Sequence, residues 1–149
     1  MNINIRKAGM EDIHLLSKML AELFSIEDDF EIDSAKQMKA LAMIIGGTTG
    51  GVVLIAESDS KIAGMVNLQK IVSTASGGYS VLLEDLYVIP EFRDRGVGKC
   101  LTDHAVQWGR ENDAVRIQLA TDKRNQAAAD FYSGRGFKAG NMVCYYKFI

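Results

Sequence analysis

Residues 82–101 constrain this chain more than any other stretch: Leu-Leu-Glu-Asp-Leu-Tyr-Val-Ile-Pro-Glu-Phe-Arg-Asp-Arg-Gly-Val-Gly-Lys-Cys-Leu. Residues 81–89 are apolar and often β-branched, interrupted only by Glu84 and Asp85, and read as a strand. Pro90 ends it, because proline has no N–H to give a ladder. Residues 93–99 then turn directly into a helical pattern. A glycine-rich turn between strand and helix points successive backbone N–H groups at one spot, and the helix N-terminus adds its partial positive charge there. Arg93, Arg95 and Lys99 crowd the same turn. The implied ligand is a phosphate group, a pyrophosphate best of all.

The remaining bounds are ordinary. A chain of 149 residues is expected to form one domain, residues 1–149, with one sizeable core. A net charge of −2 gives no reason to expect nucleic acid or a membrane surface as partner. The start lacks the apolar run of a signal peptide, and no run approaches the roughly 18 residues of a membrane helix. The two cysteines, Cys100 and Cys144, suggest neither a disulfide framework nor a zinc site, and no metal is expected. A cytoplasmic enzyme is the expectation. The sequence leaves the oligomeric state open, a homodimer among the options.

Periodicity supplies the other elements. Residues 2–7 alternate Ile3 and Ile5 with polar residues, as a strand does. Met10-Glu11-Asp12 opens a helix with acids in its first turn, and Ile13, Leu16, Leu20 and Leu23 give it one buried stripe. Residues 25–33 form an acidic loop, broken by Phe30 and Ile32. The spacing of Met38, Leu41, Ala42 and Ile45 predicts a second helix from Ser34, stopped by Gly46-Gly47. Strands follow over residues 52–57 and 61–72, joined by a turn at 58–60, with Gly64 at a bulge. With the central strand they make an antiparallel meander. Past the phosphate turn, Val97, Leu101, Ala105 and Trp108 share a helix face that runs to about Asn112. Residues 115–120 are strand-like. Asn125 can cap a helix that reaches Arg135, with Gly136 in the left-handed position after it. Residues 138–149 read as closing strand material. The order β-α-α-β-β-β-α-β-α-β-β is α+β with a mixed, mostly antiparallel sheet.

Two familiar phosphate loops are excluded. A Walker A loop needs a glycine where Arg93 stands and Ser or Thr where Cys100 stands. A dinucleotide fingerprint needs a third glycine at Leu101. What fits is Arg/Gln-x-x-Gly-x-Gly/Ala, filled by Arg93, Gly96 and Gly98. With the Leu-Glu-Asp-Leu-Tyr-Val strand before it, this stretch resembles the GNAT superfamily of acyl-CoA-dependent N-acetyltransferases. Residues 125–137 resemble that family's Asn-x-x-Ala-x-x-Phe-Tyr-x-x-x-Gly-Phe, and the opening Ile-Arg-Lys-Ala-x-x-x-Asp is similar to the start of many members.

The resemblance implies a GNAT fold, acetyl-CoA as cosubstrate and transfer to an amine. It implies that Arg93, Asp94, Arg95, Gly96, Val97, Gly98 and Lys99 surround the pyrophosphate, with Asp94 turned to solvent, and that Leu86, Tyr87 and Val88 line the path of the cofactor. Asn125 would meet the pantetheine arm, Ala128 would let it lie close, Phe131 would pack beneath it, and Tyr132 would point its hydroxyl at the thioester sulfur. Ala128, Phe131 and Tyr132 share a helix face by spacing alone.

The chemistry asks for the same parts. Attack of an amine on a thioester builds negative charge on the carbonyl oxygen, so an N–H donor is wanted there, and the resemblance points to Val88. The departing thiolate is best protonated, a task for a hydroxyl of pKa about 10 such as Tyr132. An alkylamine is protonated at neutral pH and needs a proton acceptor. Glu84 is the candidate, in a strand similar to that of the polyamine acetyltransferase branch. Glu84 and Asp85 are adjacent, so on a regular strand they face opposite sides. Glu27, Asp28, Asp29, Glu31 and Asp33, with no basic residue between Leu20 and Ala35, suggest a small cationic acceptor such as a polyamine, a diamine or a basic amino-acid derivative. The alternatives are a non-catalytic acyl-CoA sensor and an enzyme acting on protein amino groups.

Overall fold

The computed structural model describes residues 2–149. They form two compact units, one within residues 2–118 and the other residues 119–149. In the first unit the order is β1 (Ile3–Lys7), α1 (Ile13–Phe24), α2 (Ser34–Ile45), β2 (Val52–Ser58), β3 (Lys61–Ser73), β4 (Gly78–Val88), α3 (Val97–Glu111) and β5 (Ala114–Gln118). The five strands lie in sequence order across one sheet. All neighbours are antiparallel except β4 and β5. The expected α+β class and mixed sheet are therefore present. Among the described residues no helix is long and apolar enough to cross a membrane.

Helices cover both faces of the sheet. On one face Leu16, Met19 and Leu20 of α1 and Leu41 and Ile44 of α2 pack on Val53, Ile55, Met65 and Tyr87. The Tyr87 hydroxyl donates to the Glu22 carboxylate, which pins α1 to the end of β4. The other face takes α3, whose Val97, Leu101, Ala105 and Trp108 are buried as their spacing requires. The opening acids do more than favour a helix dipole. Met10–Asp12 is a single 3₁₀ turn ahead of α1. The Asp12 carboxylate accepts from the Gly9 N–H at 2.7 Å and from Arg6, whose guanidinium also reaches Glu57 on β2. Arg6 and the Gly9 N–H hold the Asp12 carboxyl below the usual carboxylate range, against the opposing effect of burial.

Breaks in register shape the sheet, and two of them bear on the site. One lies beside Gly64, where Ala56 pairs with Gly64 and Glu57 with Ile62. Gly64 is also where β3 meets the first turn of α3. A Cβ there would sit 2.8 Å from the Tyr87 carbonyl oxygen, 3.1 Å from Leu101 Cδ1 and 3.2 Å from Val97 Cγ1. Gly64→Ala is expected to cost about 1–3 kcal/mol, the usual cost of overpacking, and to lower the urea midpoint. An unchanged midpoint would show that β4 and α3 are both free to shift away. The other bulge is in β4: Met65 pairs with Tyr87 and Asn67 with Glu84, so Asp85 and Leu86 together oppose Val66.

The second unit holds α4 (Gln126–Ser133). Asn125 caps it, its side-chain oxygen accepting from the Ala128 N–H at 3.0 Å. Gly136 has φ +81, the left-handed conformation expected after the helix. The two closing strands expected in residues 138–149 are absent. The segment has no ladder partner among the described residues, and Met142 and Tyr145 are 95% and 92% exposed. Apolar and aromatic residues do not make a strand by themselves; backbone N–H and C=O groups need a second strand to bond.

Candidate active site

The glycine-rich turn after β4 is built as its sequence demands. Pro90–Phe92 is a 3₁₀ turn that leads off β4, and Gly96, at φ +84, serves as the N-cap of α3. A Cβ on Gly96 would meet nothing within 4 Å, so the space over the turn is open to a ligand. The first N–H of the helical ladder is that of Cys100, bonded to the Gly96 carbonyl at 3.0 Å. The N–H groups of Val97, Gly98 and Lys99 thus precede the ladder and are available to an anion. Asp94 also has a left-handed backbone, at φ +58, and an exposed side chain, as expected of an acid beside a phosphate turn. The basic side chains are not all poised at the turn. Lys99 Nζ lies 2.7 Å from Asp103, along α3, and Arg93 Nε donates to the Val88 carbonyl at 3.0 Å. Val97 and Tyr87 are buried, so what they can offer a ligand is backbone.

The second half of β4 is open on one side. β5 pairs only with residues 79–82 of β4, and residues 83–88 have no ladder partner on that edge among the described residues. The Ile89 N–H donates to the Ala63 carbonyl of β3 at 3.0 Å. N–H directions alternate along a strand, so the Val88 N–H points to the open edge. An extended ligand arm could lie there and find that donor.

On the α1–α2 side of the sheet is a cavity of about 260 Å³, with Leu20, Phe24, Leu41 and Ile44 in its wall, Lys36 and Gln37 from the first turn of α2, and Asn67 and Asp85 from the sheet. The β4 bulge explains why a carboxylate is there. Regular alternation would put Asp85 on the α3 side with Val81 and Leu83. The extra residue, at φ +54, turns Asp85 to the cavity instead, where its Oδ2 accepts from Asn67 Nδ2 at 3.3 Å. Glu84 pairs with Asn67 and by register shares its face, but it is the more exposed of the two acids and is not part of the cavity wall. Burial pushes the Asp85 carboxyl above the usual range, with the Asn67 bond opposing it. Desolvation by surrounding protein atoms and then the neighbouring Asp85 push Glu84 up as well.

Sequence reasoning missed Asn67, Lys36 and Gln37. Asn67 had a readable signal: a buried amide between Val66 and Leu68 in a continuous apolar strand. Part of the acidic segment is already committed. Asp33 caps α2 through the Lys36 N–H at 3.1 Å, and its carboxylate lies 3.6 Å from Lys36 Nζ.

In the second unit, α4 carries Asn125, Ala128, Phe131 and Tyr132. Tyr132 stands edge-on between Phe131 and Phe137, with ring centroids 5.2 and 5.5 Å away. The Arg135 guanidinium lies over the Phe131 ring at 4.0 Å. Among the described residues no group of three or more His, Cys, Asp or Glu could hold a metal ion.

Comparison with known proteins gives the family and the fold. The sequence profile of the Acetyltransferase (GNAT) family matches residues 16–137. An uncharacterized N-acetyltransferase of Bacillus subtilis, YhfO, is 27% identical over 146 residues, 97% of this chain and 95% of that one. An aminoglycoside N(6')-acetyltransferase type 1 of Salmonella typhimurium is 30% identical over 67 residues, 45% of this chain and 46% of that one. A solved structure from Clostridium acetobutylicum, described as a predicted acetyltransferase with acetyl-CoA, superposes with a TM-score of 0.79 at 22% identity, covering 98% of this chain and 96% of that one.

Proposed function

The chain belongs to the acetyltransferase (GNAT) family, an acetyl-CoA-dependent class of enzyme, and on that premise we propose that it acetylates the primary amine of a small cationic acceptor, by direct attack while both substrates are bound. The observation that carries this reading is the β4 bulge, which turns Asp85 into an otherwise largely apolar cavity beside a strand edge that a cofactor arm could follow.

Acetyl-CoA, when bound, supplies the acetyl group as an activated thioester. The residues present fit it. The N–H groups at the start of α3, with Arg93 and Arg95, hold the pyrophosphate, and Gly96 and Gly98 keep the approach clear. The backbone of Leu86, Tyr87 and Val88 borders the pantetheine arm, and the Val88 N–H stabilises charge that develops on the carbonyl oxygen. Asp85 holds the acceptor's ammonium. Glu84, on the same face and open to water, takes the proton that must leave before the nitrogen can attack. From the second unit, by resemblance, Asn125, Ala128 and Phe131 support the arm and Tyr132 protonates the departing thiolate.

Removal of the hydroxyl in Tyr132→Phe keeps the ring packing, and it is expected to lower kcat roughly 10²-fold with acetyl-CoA affinity unchanged. Near-full turnover, under conditions where chemistry limits the rate, would assign the proton to another donor.

The cationic preference has its own test. Glu27, Asp28, Asp29 and Glu31 put one sign of charge on the α1–α2 segment, and the Salmonella relative is named for aminoglycosides, which are polycations. Such a field concentrates cations and is screened over about 10 Å at 0.1 M salt. For a cationic amine, kcat/KM should fall with ionic strength, and Asp28→Asn with Asp29→Asn should flatten the fall. Equal efficiency with neutral or acidic amines would contradict the preference.

A further inference from the structure

We propose that the acceptor is a primary monoamine on a compact apolar body, an arylalkylamine of about the size of phenethylamine, seated in the cavity between α1, α2 and the sheet. This rests on the reading of that cavity as the acceptor site. Its wall is Leu20, Phe24, Leu41 and Ile44, and Phe30 extends the apolar surface outward by packing on Phe24 with ring centroids 5.5 Å apart. The polar groups around it are largely spent. Gln37 accepts from the Asp33 N–H at 2.9 Å and donates to the Glu31 carbonyl, and Asn67 accepts from Gln69 at 2.8 Å while donating to Asp85. Asp85 is the one carboxylate in the wall, and its single bond to Asn67 leaves it acceptor capacity for an ammonium.

Charge and size then select the ligand. One ammonium is matched by Asp85. A second ammonium seated inside the cavity would lie against leucine, isoleucine and phenylalanine, where the wall has no second carboxylate and Lys36 is of like sign. The volume of about 260 Å³ is below the ~300–1,000 Å³ of sites for drug-sized ligands, so the body must be small. An apolar ring meets both conditions, whereas a polyamine fails the first.

The test uses the full chain and release of CoA thiol with phenethylamine, putrescine and spermidine as acceptors. Phenethylamine is expected to give a kcat/KM at least roughly 10-fold above either polyamine, the gain from burying its ring. Ala40 stands at the cavity's exposed edge. Ala40→Trp should fill the cavity and raise the KM for phenethylamine at least 10-fold, as roughly expected from the lost ring burial, with acetyl-CoA affinity unchanged. A kcat/KM for putrescine or spermidine equal to or above that for phenethylamine would overturn the inference while leaving acetyl transfer standing. If no amine reacts, calorimetry decides. Phenethylammonium binding that Ala40→Trp abolishes upholds the pocket and overturns the catalytic reading. Absence of both binding and turnover overturns the inference.

Discussion

Asp85→Asn is expected to yield a more heat-stable protein that is a far poorer enzyme. The substitution keeps shape and leaves an oxygen to accept from Asn67, so the β4 bulge has no reason to change. What it removes is a carboxylate whose pKa is raised by burial. Such a group binds its proton more tightly folded than unfolded. Its cost to stability is absent at low pH and appears as the pH rises from the ordinary aspartate value through the raised one. Above the raised value the folded chain carries that cost in full, and asparagine relieves it. The functional loss comes from the same change. An acceptor ammonium would lose its charged partner inside a largely apolar cavity, and truncating one member of a buried charge pair typically costs about 2–5 kcal/mol, roughly 30- to 4,000-fold in kcat/KM. The pH profile adds a second readout. Activity should fall as the pH drops through the raised carboxylate range, because Glu84 must be ionised to take a proton. Removing Asp85 removes its charge repulsion on Glu84 and should move that acid limb lower. A variant that is active as before, with the same acid limb, would remove Asp85 from the site.

Gly98→Val is expected to abolish measurable acetyl-CoA binding, a loss of roughly 10²-fold or more, in a protein that remains folded. Gly98 is the second residue of α3, in the turn whose unbonded N–H groups face the open space over Gly96. A branched side chain there would stand between those donors and a pyrophosphate. The helix itself does not oppose valine, which is no worse than glycine in a helix interior. Gly96 would be a weaker choice, since its φ of +84 would strain any side chain whatever the ligand does. Calorimetry with acetyl-CoA checks the prediction, and unchanged affinity in a folded Gly98→Val protein would take the phosphate role away from this turn.

Much of the fold was legible because local chemistry and burial agreed. The stripe Val97, Leu101, Ala105 and Trp108 is buried as its spacing required, and Pro90 and Gly96 punctuate the chain where a proline and a glycine should. The position of Asp85 was not legible. Side-chain alternation alone separates Glu84 from Asp85, and only the two-against-one pairing with Val66 brings Asp85 to the cavity with Asn67. A bulge of this kind depends on how two strands register, and no residue type in 82–88 announces it. Residues 138–149 misled for the converse reason: Tyr145, Tyr146 and Phe148 read as strand material, but strand formation depends on a partner, which a single segment cannot specify. The acidic segment lay between these cases. Its composition was clear, yet Asp33 is committed to capping α2, which counting charges could not reveal.

The central claim is acetyl transfer from acetyl-CoA to an amine, and release of CoA thiol by the full-length chain, with and without a panel of amines, tests it most directly. The account predicts slow release with acetyl-CoA alone, and release that rises and saturates with a cationic primary amine, with one acetylated amine formed per thiol. Acetyl-CoA binding in calorimetry, with no amine in the panel increasing thiol release, would contradict it and make the chain an acyl-CoA-binding module.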